Sequence, residues 1–125
     1  MNIQEALDQA DQMKPNMMNR ALKIRYLQEL DQIIYREILL KHEHTPETEV
    51  LPVYTEDTDP GQELLAPDPY SKLYKYWLMS KIDEQNLEMD KYNNDSALFN
   101  QAYMELQDWW NRTFMPIQRH RQIHI

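Results

Sequence analysis

The chain has 125 residues, one glycine, no cysteine and a formal charge of −8. A chain of this length builds one domain around one core; the lone Gly61 argues against the recurrent tight turns of a sandwich or barrel; and without cysteine there are no disulfides and no thiolate metal sites. The acid excess disfavours a surface that wraps a nucleic-acid backbone, and runs such as Ile38-Leu39-Leu40 are far too short to span a bilayer.

Leu, Met, Gln, Glu, Lys and Ala are plentiful, and all favour helix. The expected fold is all-α, a small bundle of four to five helices. The first helix is expected over 3–13. Asn2 and Glu5 form a variant capping box, and Ile3, Ala6, Leu7, Ala10 and Met13 share one face. Pro15 stops it, because the residue before a proline avoids helical geometry. The second helix is expected over 17–42, capped by Asn16. Its stripe is Leu27, Leu30, Ile34 and Ile38, widened by Leu22, Tyr26 and Ile33.

The pattern fails over 43–69. Pro46, Pro52, Pro60, Pro67 and Pro69 lie there among eight acids: Glu43, Glu47, Glu49, Glu56, Asp57, Asp59, Glu63 and Asp68. No Lys or Arg accompanies them, and the other 13 acids are matched by 13 Lys and Arg, so the whole excess charge sits in this one segment. A long acidic, proline-rich, solvated loop is expected between the second and third helices, with Val50–Tyr54 a weak edge-strand candidate because of Pro52.

The third helix is expected to start on Asp68 and Pro69, an N-cap followed by a proline suited to the first turn. Tyr70, Leu73, Tyr74, Trp77, Leu78 and Ile82 give it an aromatic face. Ser80 or Asp83 is a possible second start, which leaves 70–92 open as one helix or two. Asn93-Asn94-Asp95-Ser96 reads as a break and cap. The fourth helix follows over 97–114, with one stripe of Leu98, Ala102, Leu106 and Trp109 and another of Phe99, Tyr103, Trp110 and Phe114. Pro116 ends it. Residues 117–125 form a basic arm that alternates polar and apolar residues.

Little here resembles reaction chemistry. His42 with His44, and His120 with His124, lack a third ligand, so they read as surface histidines. Ser71, Ser80 and Ser96 sit in helix-start contexts and lack a nucleophile elbow. Glu56, Asp57 and Asp59 lack the glycine and terminal glutamate of a calcium loop. No catalytic residue, metal site or cofactor is expected, and the first residues lack the cationic and apolar regions of a secretory signal. What remains is a surplus of aromatics on helical stripes. Tyr70, Tyr74, Trp77, Tyr103, Trp109, Trp110 and Phe114 are more than a small bundle hides, and Trp and Tyr are enriched at protein interfaces. They are the candidate oligomer or partner interface.

Residues 92–116, Tyr-Asn-Asn-Asp-Ser-Ala-Leu-Phe-Asn-Gln-Ala-Tyr-Met-Glu-Leu-Gln-Asp-Trp-Trp-Asn-Arg-Thr-Phe-Met-Pro, and the opening from Ile3 through Asn16 resemble the head–tail connector proteins of tailed bacteriophages and prophages, also called adaptor or head-completion proteins. The resemblance covers most of the chain apart from the acidic loop. It implies one helical connector domain over 1–125 that assembles as a homo-oligomeric ring of about twelve copies. That ring would lie below the portal protein, meet a tail-proximal head-closure or stopper protein, and let double-stranded DNA pass without sequence-specific binding. It implies location in the virion neck, and in the bacterial cytoplasm during assembly, with no membrane association. Arg112, Arg119 and Arg121 are then candidates for docking on the portal. The alternative is a small helical protein-binding module, or another phage assembly or regulatory protein.

Overall fold

The computed structural model describes residues 1–42 and 50–114. Its first helix, α1 (Ile3–Met13), opens on the expected capping box: the Asn2 side chain accepts from the Glu5 N–H (2.8 Å), and the Glu5 carboxylate accepts from the Asn2 N–H (3.0 Å). Ile3, Ala6, Leu7 and Ala10 are buried, while Met13 is exposed.

The second helix is shorter than its apolar pattern suggested. α2 spans Arg20–Glu37 and is capped by Asn19. Asn16 does not cap it, because its carboxamide accepts from the Met18 N–H and donates to Asp11 and the Lys14 carbonyl, a local turn that competes with helix. At the far end the chain tightens into a 3-10 turn, Leu39–Lys41. The His42 ring lies 2.7 Å from the Ile38 carbonyl, which also accepts from the Lys41 N–H (3.1 Å). Leu27, Leu30, Ile34 and Ile38 form the buried stripe, each at most 1% exposed. Full burial of such a side chain is worth about 1.5–3 kcal/mol.

Residues 50–71 contain no helix, and their only ladder contact is an isolated antiparallel bridge between Asn2 and Glu63. The edge strand considered for Val50–Tyr54 does not form. The segment crosses the bundle as a strap: Tyr54, Leu64 and Ala66 are buried in the core, while Glu56, Asp57, Asp59 and Glu63 face solvent. Asp68 and Pro69 do not begin a helix. They belong to a turn with a cis Asp68–Pro69 bond, closed by the Tyr70 N–H donating to the Pro67 carbonyl.

The third helix, α3 (Lys72–Gln85), occupies the middle of the bundle, and α1, α2 and α4 (Met89–Thr113) all pack against it. Neither Ser80 nor Asp83 starts a new helix. The break falls at Asn86-Leu87-Glu88, where the Glu88 N–H donates to the Asp83 carbonyl and the Leu87 N–H to the Glu84 carbonyl. This is a Schellman closure with Leu87 in its left-handed position, φ 57°. Glycine or asparagine normally holds that position, so the sequence carries no stop signal. The break and cap expected at 93–96 are absent: α4 runs straight through, with Asp95 turned inward and Asn93 and Asn94 outward. The described residues thus form an all-α fold of four α-helices.

Candidate functional site

Three polar groups lock the helices together. The first is centred on Asp31, on the core face of α2 between Leu27 and Ile34 and fully buried. Its carboxylate accepts from the Tyr54 hydroxyl (2.5 Å), the Tyr74 hydroxyl (2.6 Å) and the Leu65 N–H (3.1 Å). Tyr74 also accepts from the Ala66 N–H (2.8 Å). One carboxylate therefore ties α2, the strap and α3 together. Burial pushes the Asp31 carboxyl up, and the three hydrogen bonds pull it only part of the way back. The same burial, reinforced by the Asp31 charge, holds Tyr54 and Tyr74 above the ordinary phenol range, so both stay donors. Gln28 and Gln32 extend the lock, one accepting from the Tyr54 N–H (2.9 Å) and the other donating to the Pro52 carbonyl (2.9 Å).

The second group is an ionic triad. Lys14, just past the end of α1, places its ammonium 3.0 Å from Asp83 of α3 and 3.2 Å from Asp95 of α4. Both carboxylates are buried. Burial and the facing Asp95 carboxylate push Asp83 up from 3.8 to about 6. Burial alone would lower the Lys14 ammonium, but the two carboxylates outweigh it and leave it raised. Two acids around one lysine leave an unbalanced negative charge when all are ionised, which is why the pair favours holding a proton. The third group joins α2 to α4: Tyr103 donates to Glu37 (2.6 Å), and the His42 ring lies 2.7 Å from the Asn111 side chain. His42 is thus buried, not the surface histidine expected.

The Asp31 and Lys14 hubs are buried, whereas the Tyr103–Glu37 pair of the third lies at the surface. Among the described residues, no three His, Cys, Asp or Glu side chains gather where they would hold a metal ion, and no helix is long and apolar enough to cross a membrane.

The aromatics divide into three. Tyr74 is fully buried with its hydroxyl committed to Asp31, so it belongs to the core and cannot face a partner. Trp77 and Tyr103 are half-buried and linked through Phe99, with ring centroids 5.0 and 5.9 Å apart. Trp77 also donates to the Tyr26 carbonyl (2.8 Å), and Lys81 covers its face at 4.3 Å. Much of what this pair offers is used within the chain.

The remaining four rings make a continuous surface where the start of α3 meets the end of α4. Tyr70 stacks on Trp109 at 5.2 Å; Trp110 meets Trp109 edge-on at 5.5 Å; Phe114 touches both, at 5.9 and 5.1 Å. All four stay partly open to solvent. Beside them lies a shallow cavity of about 350 Å³, lined by Pro69, Tyr70, Lys72, Glu105, Asp108 and Arg112. Lys72 and Glu105 pair across it at 3.0 Å. The fold therefore gathers Tyr70, Trp109, Trp110, Phe114 and Arg112 at one end and leaves Trp77 and Tyr103 on another face. Arg119 and Arg121 lie outside the described residues.

No protein-family model, no curated protein and no solved structure matches the chain.

The polar hubs escaped the sequence reading, although a signal was present. Asp31 and Asp83 each interrupt an apolar stripe, at positions that place a carboxylate on the core face, and a charge there requires a partner.

Proposed function

We propose that the chain is a structural, non-enzymatic assembly subunit, and that it works as a head–tail connector: a homo-oligomeric ring beneath a portal that joins capsid to tail and lets DNA pass. The observation that carries this reading is the four-ring surface of Tyr70, Trp109, Trp110 and Phe114 at one end of the α3–α4 hairpin. Rigid aromatic groups left half-open are the usual anchors of a protein interface. The buried carboxylates support the same reading, since they are spent on fixing helices. In a ring closed by head-to-tail contacts each copy needs two different surfaces, and the aromatic end supplies one. Arg112, next to Tyr70 on the cavity wall, lies where it would meet an acidic group on a partner. The net charge of −8 keeps passing DNA from adhering.

The test is electron microscopy of the protein mixed with its cognate portal, the one encoded with it. A ring of density below the portal, lost when Trp109 and Trp110 are both changed to Ser, is the expected result. A one-to-one complex with some other protein and no ring would favour the alternative of a small binding module.

A further inference from the structure

The end of the hairpin opposite the aromatic surface is also unusual. There the chain exposes Met13 (58%), Met17 (99%), Leu87 (81%) and Met89 (52%). Leu87 and Met89 lie at the α3–α4 corner, and Lys14 ties the end of α1, which carries Met13, to Asp83 and Asp95 on either side of it. Leu87 is the most informative of the four. It holds a left-handed backbone, φ 57°, that costs an L side chain about 1–2 kcal/mol, and it spends that cost on presenting an isobutyl group to water. Asparagine or glycine would close the same turn without either penalty. A residue that is unfavourable for the isolated fold in two ways, and sits two residues from the exposed Met89, marks a contact surface.

The charge around this surface indicates its occupant. The charges open to solvent here are Glu84, Glu88 and Asp90 against Lys91, a formal balance of −2, and the buried triad of Asp83, Asp95 and Lys14 beneath them adds −1. The chain itself contains a segment of the complementary kind: residues 115–125 hold Ile117, Ile123 and Ile125 with Arg119 and Arg121, two histidines and no acid. That segment leaves from the opposite end. α4 separates Met89 from Phe114 by 25 residues, about 37 Å at 1.5 Å per residue. Ile123 is nine residues beyond Phe114 and reaches at most about 32 Å even fully extended. Only the last residue, Ile125, could span the distance, at about 40 Å, while Arg119 and Arg121 reach at most about 18 and 25 Å, so the arm as a whole cannot lie on the Leu87 surface of its own copy.

We propose that the Leu87–Met89 corner receives the 117–125 arm of a second copy of this chain, so that copies join end to end by one repeated contact. The isoleucines cover Leu87 and Met89, whose flexible thioether adapts to them, and Arg119 and Arg121 meet Glu84 and Asp90 at the rim. The contact is heterologous, so it propagates and closes where the rotation between copies allows. It rests on the reading of the chain as a self-assembling subunit and supplies the second of the two surfaces that reading needs. It moves the arm from the portal, where the connector resemblance sent it, to the neighbouring subunit.

The test uses two full-length variants: Leu87→Asn/Met89→Gln, which removes the surface, and Arg119→Glu/Arg121→Glu, which disables the arm. In sedimentation across a concentration series, each alone should self-associate at least tenfold more weakly than wild type. Mixed in equal amounts, one retains an intact arm and the other an intact surface, so they should form one-to-one dimers and nothing longer. As a second readout, a fluorescein-labelled peptide of residues 115–125 should bind full-length wild type in an anisotropy titration and bind Leu87→Asn/Met89→Gln at least tenfold more weakly. Mixtures that stay monomeric, self-association indifferent to both variants, or a peptide that fails to bind wild type up to millimolar concentration would each overturn the inference. A portal-bound ring that survives those failures would leave the connector reading standing and remove only this contact.

Discussion

Replacing Asp31 with Ala should be the most damaging single polar substitution in the chain. The change strands three buried donors at once: the Tyr54 hydroxyl, the Tyr74 hydroxyl and the Leu65 N–H. Each unsatisfied buried donor costs about 1–3 kcal/mol, so even after partial relaxation the loss should be about 4–6 kcal/mol. Stability of a 125-residue domain is on the order of 6–19 kcal/mol at roughly 0.05–0.15 kcal/mol per residue, so Asp31→Ala should bring the protein close to unfolding. Tyr54→Phe removes one donor and leaves Asp31 with two, for a loss of about 1.5–3 kcal/mol. The informative comparison is the triple variant Asp31→Leu/Tyr54→Phe/Tyr74→Phe. It deletes acceptor and hydroxyl donors together and leaves two groups unpaired, the Leu65 and Ala66 N–H, against three donors in Asp31→Ala, so it should be the more stable of the two despite carrying three changes. Urea titrations followed by far-ultraviolet circular dichroism give all three values. If Asp31→Ala costs less than about 2 kcal/mol, or the triple variant is the least stable of the set, the hub does not hold the strap in the way described.

The triad should respond asymmetrically. Lys14→Met leaves Asp83 and Asp95 buried without their cation and should cost about 3–5 kcal/mol in a denaturant titration. Asp83→Asn keeps the Lys14–Asp95 pair and removes a like-charge contact, so at neutral pH it should stay within about 1 kcal/mol of wild type. The pH dependence follows from Asp83 being raised to about 6 in the fold against 3.8 ordinarily. The native state then binds more protons than the unfolded chain across that window, and the stability this group adds is complete below the lower value and lost as pH rises through the upper. Thermal melts between about pH 4 and 7 should show this decline in wild type and a flatter profile in Asp83→Asn; parallel profiles would refute it. Leu87→Gly frees the left-handed corner and should raise the melting temperature by about 4 °C, equivalent to about 1 kcal/mol for a domain of this size.

Where apolar periodicity decided the structure, the sequence was a good guide. The stripe Leu27, Leu30, Ile34 and Ile38 is buried as its spacing implies, and the Asn2–Glu5 capping box is present. Boundaries failed wherever one side chain had a choice of partners. Asn16 and Asn19 are equally good caps on paper, and the local turn at Asn16 decides between them. Asp95 looked like part of a break because Asn-Asn-Asp-Ser is polar and helix-averse, but a lysine 81 positions earlier supplies its partner. The true break is hidden by a leucine where glycine is usual. The strap was hardest to read. Proline and acid suggested a solvated loop, yet Tyr54, Leu64 and Ala66 are core residues, and Tyr54 is fixed by an aspartate 23 positions away. Pairings of that range leave no trace in local pattern. The candidate surface was legible as an aromatic excess, but its division into a core tyrosine, an internally satisfied pair and an open four-ring end depends on how α4 turns against α3.

The distribution of costs along the bundle favours the proposed carrier of interfaces over a carrier of chemistry. In an enzyme, strain and buried charge gather around a cavity, where substrate binding offsets them. Here the buried charge lies in the body of the bundle, sealed and paired: Asp31 with two tyrosines, and Asp83 and Asp95 with Lys14. The unrewarded features lie at the extremities. At one end Tyr70, Trp109, Trp110 and Phe114 are left half-open, and at the other Leu87 holds a left-handed backbone beside the exposed Met89. In the proposed ring, a subunit joined on both sides would need a fixed middle and two dissimilar ends of this kind. Polar locks suit that task better than a larger apolar core, because a hydrogen-bonded carboxylate fixes the register of the helices that meet at it. Register determines where the two ends point, and a closed ring tolerates little error in that angle because each copy repeats it.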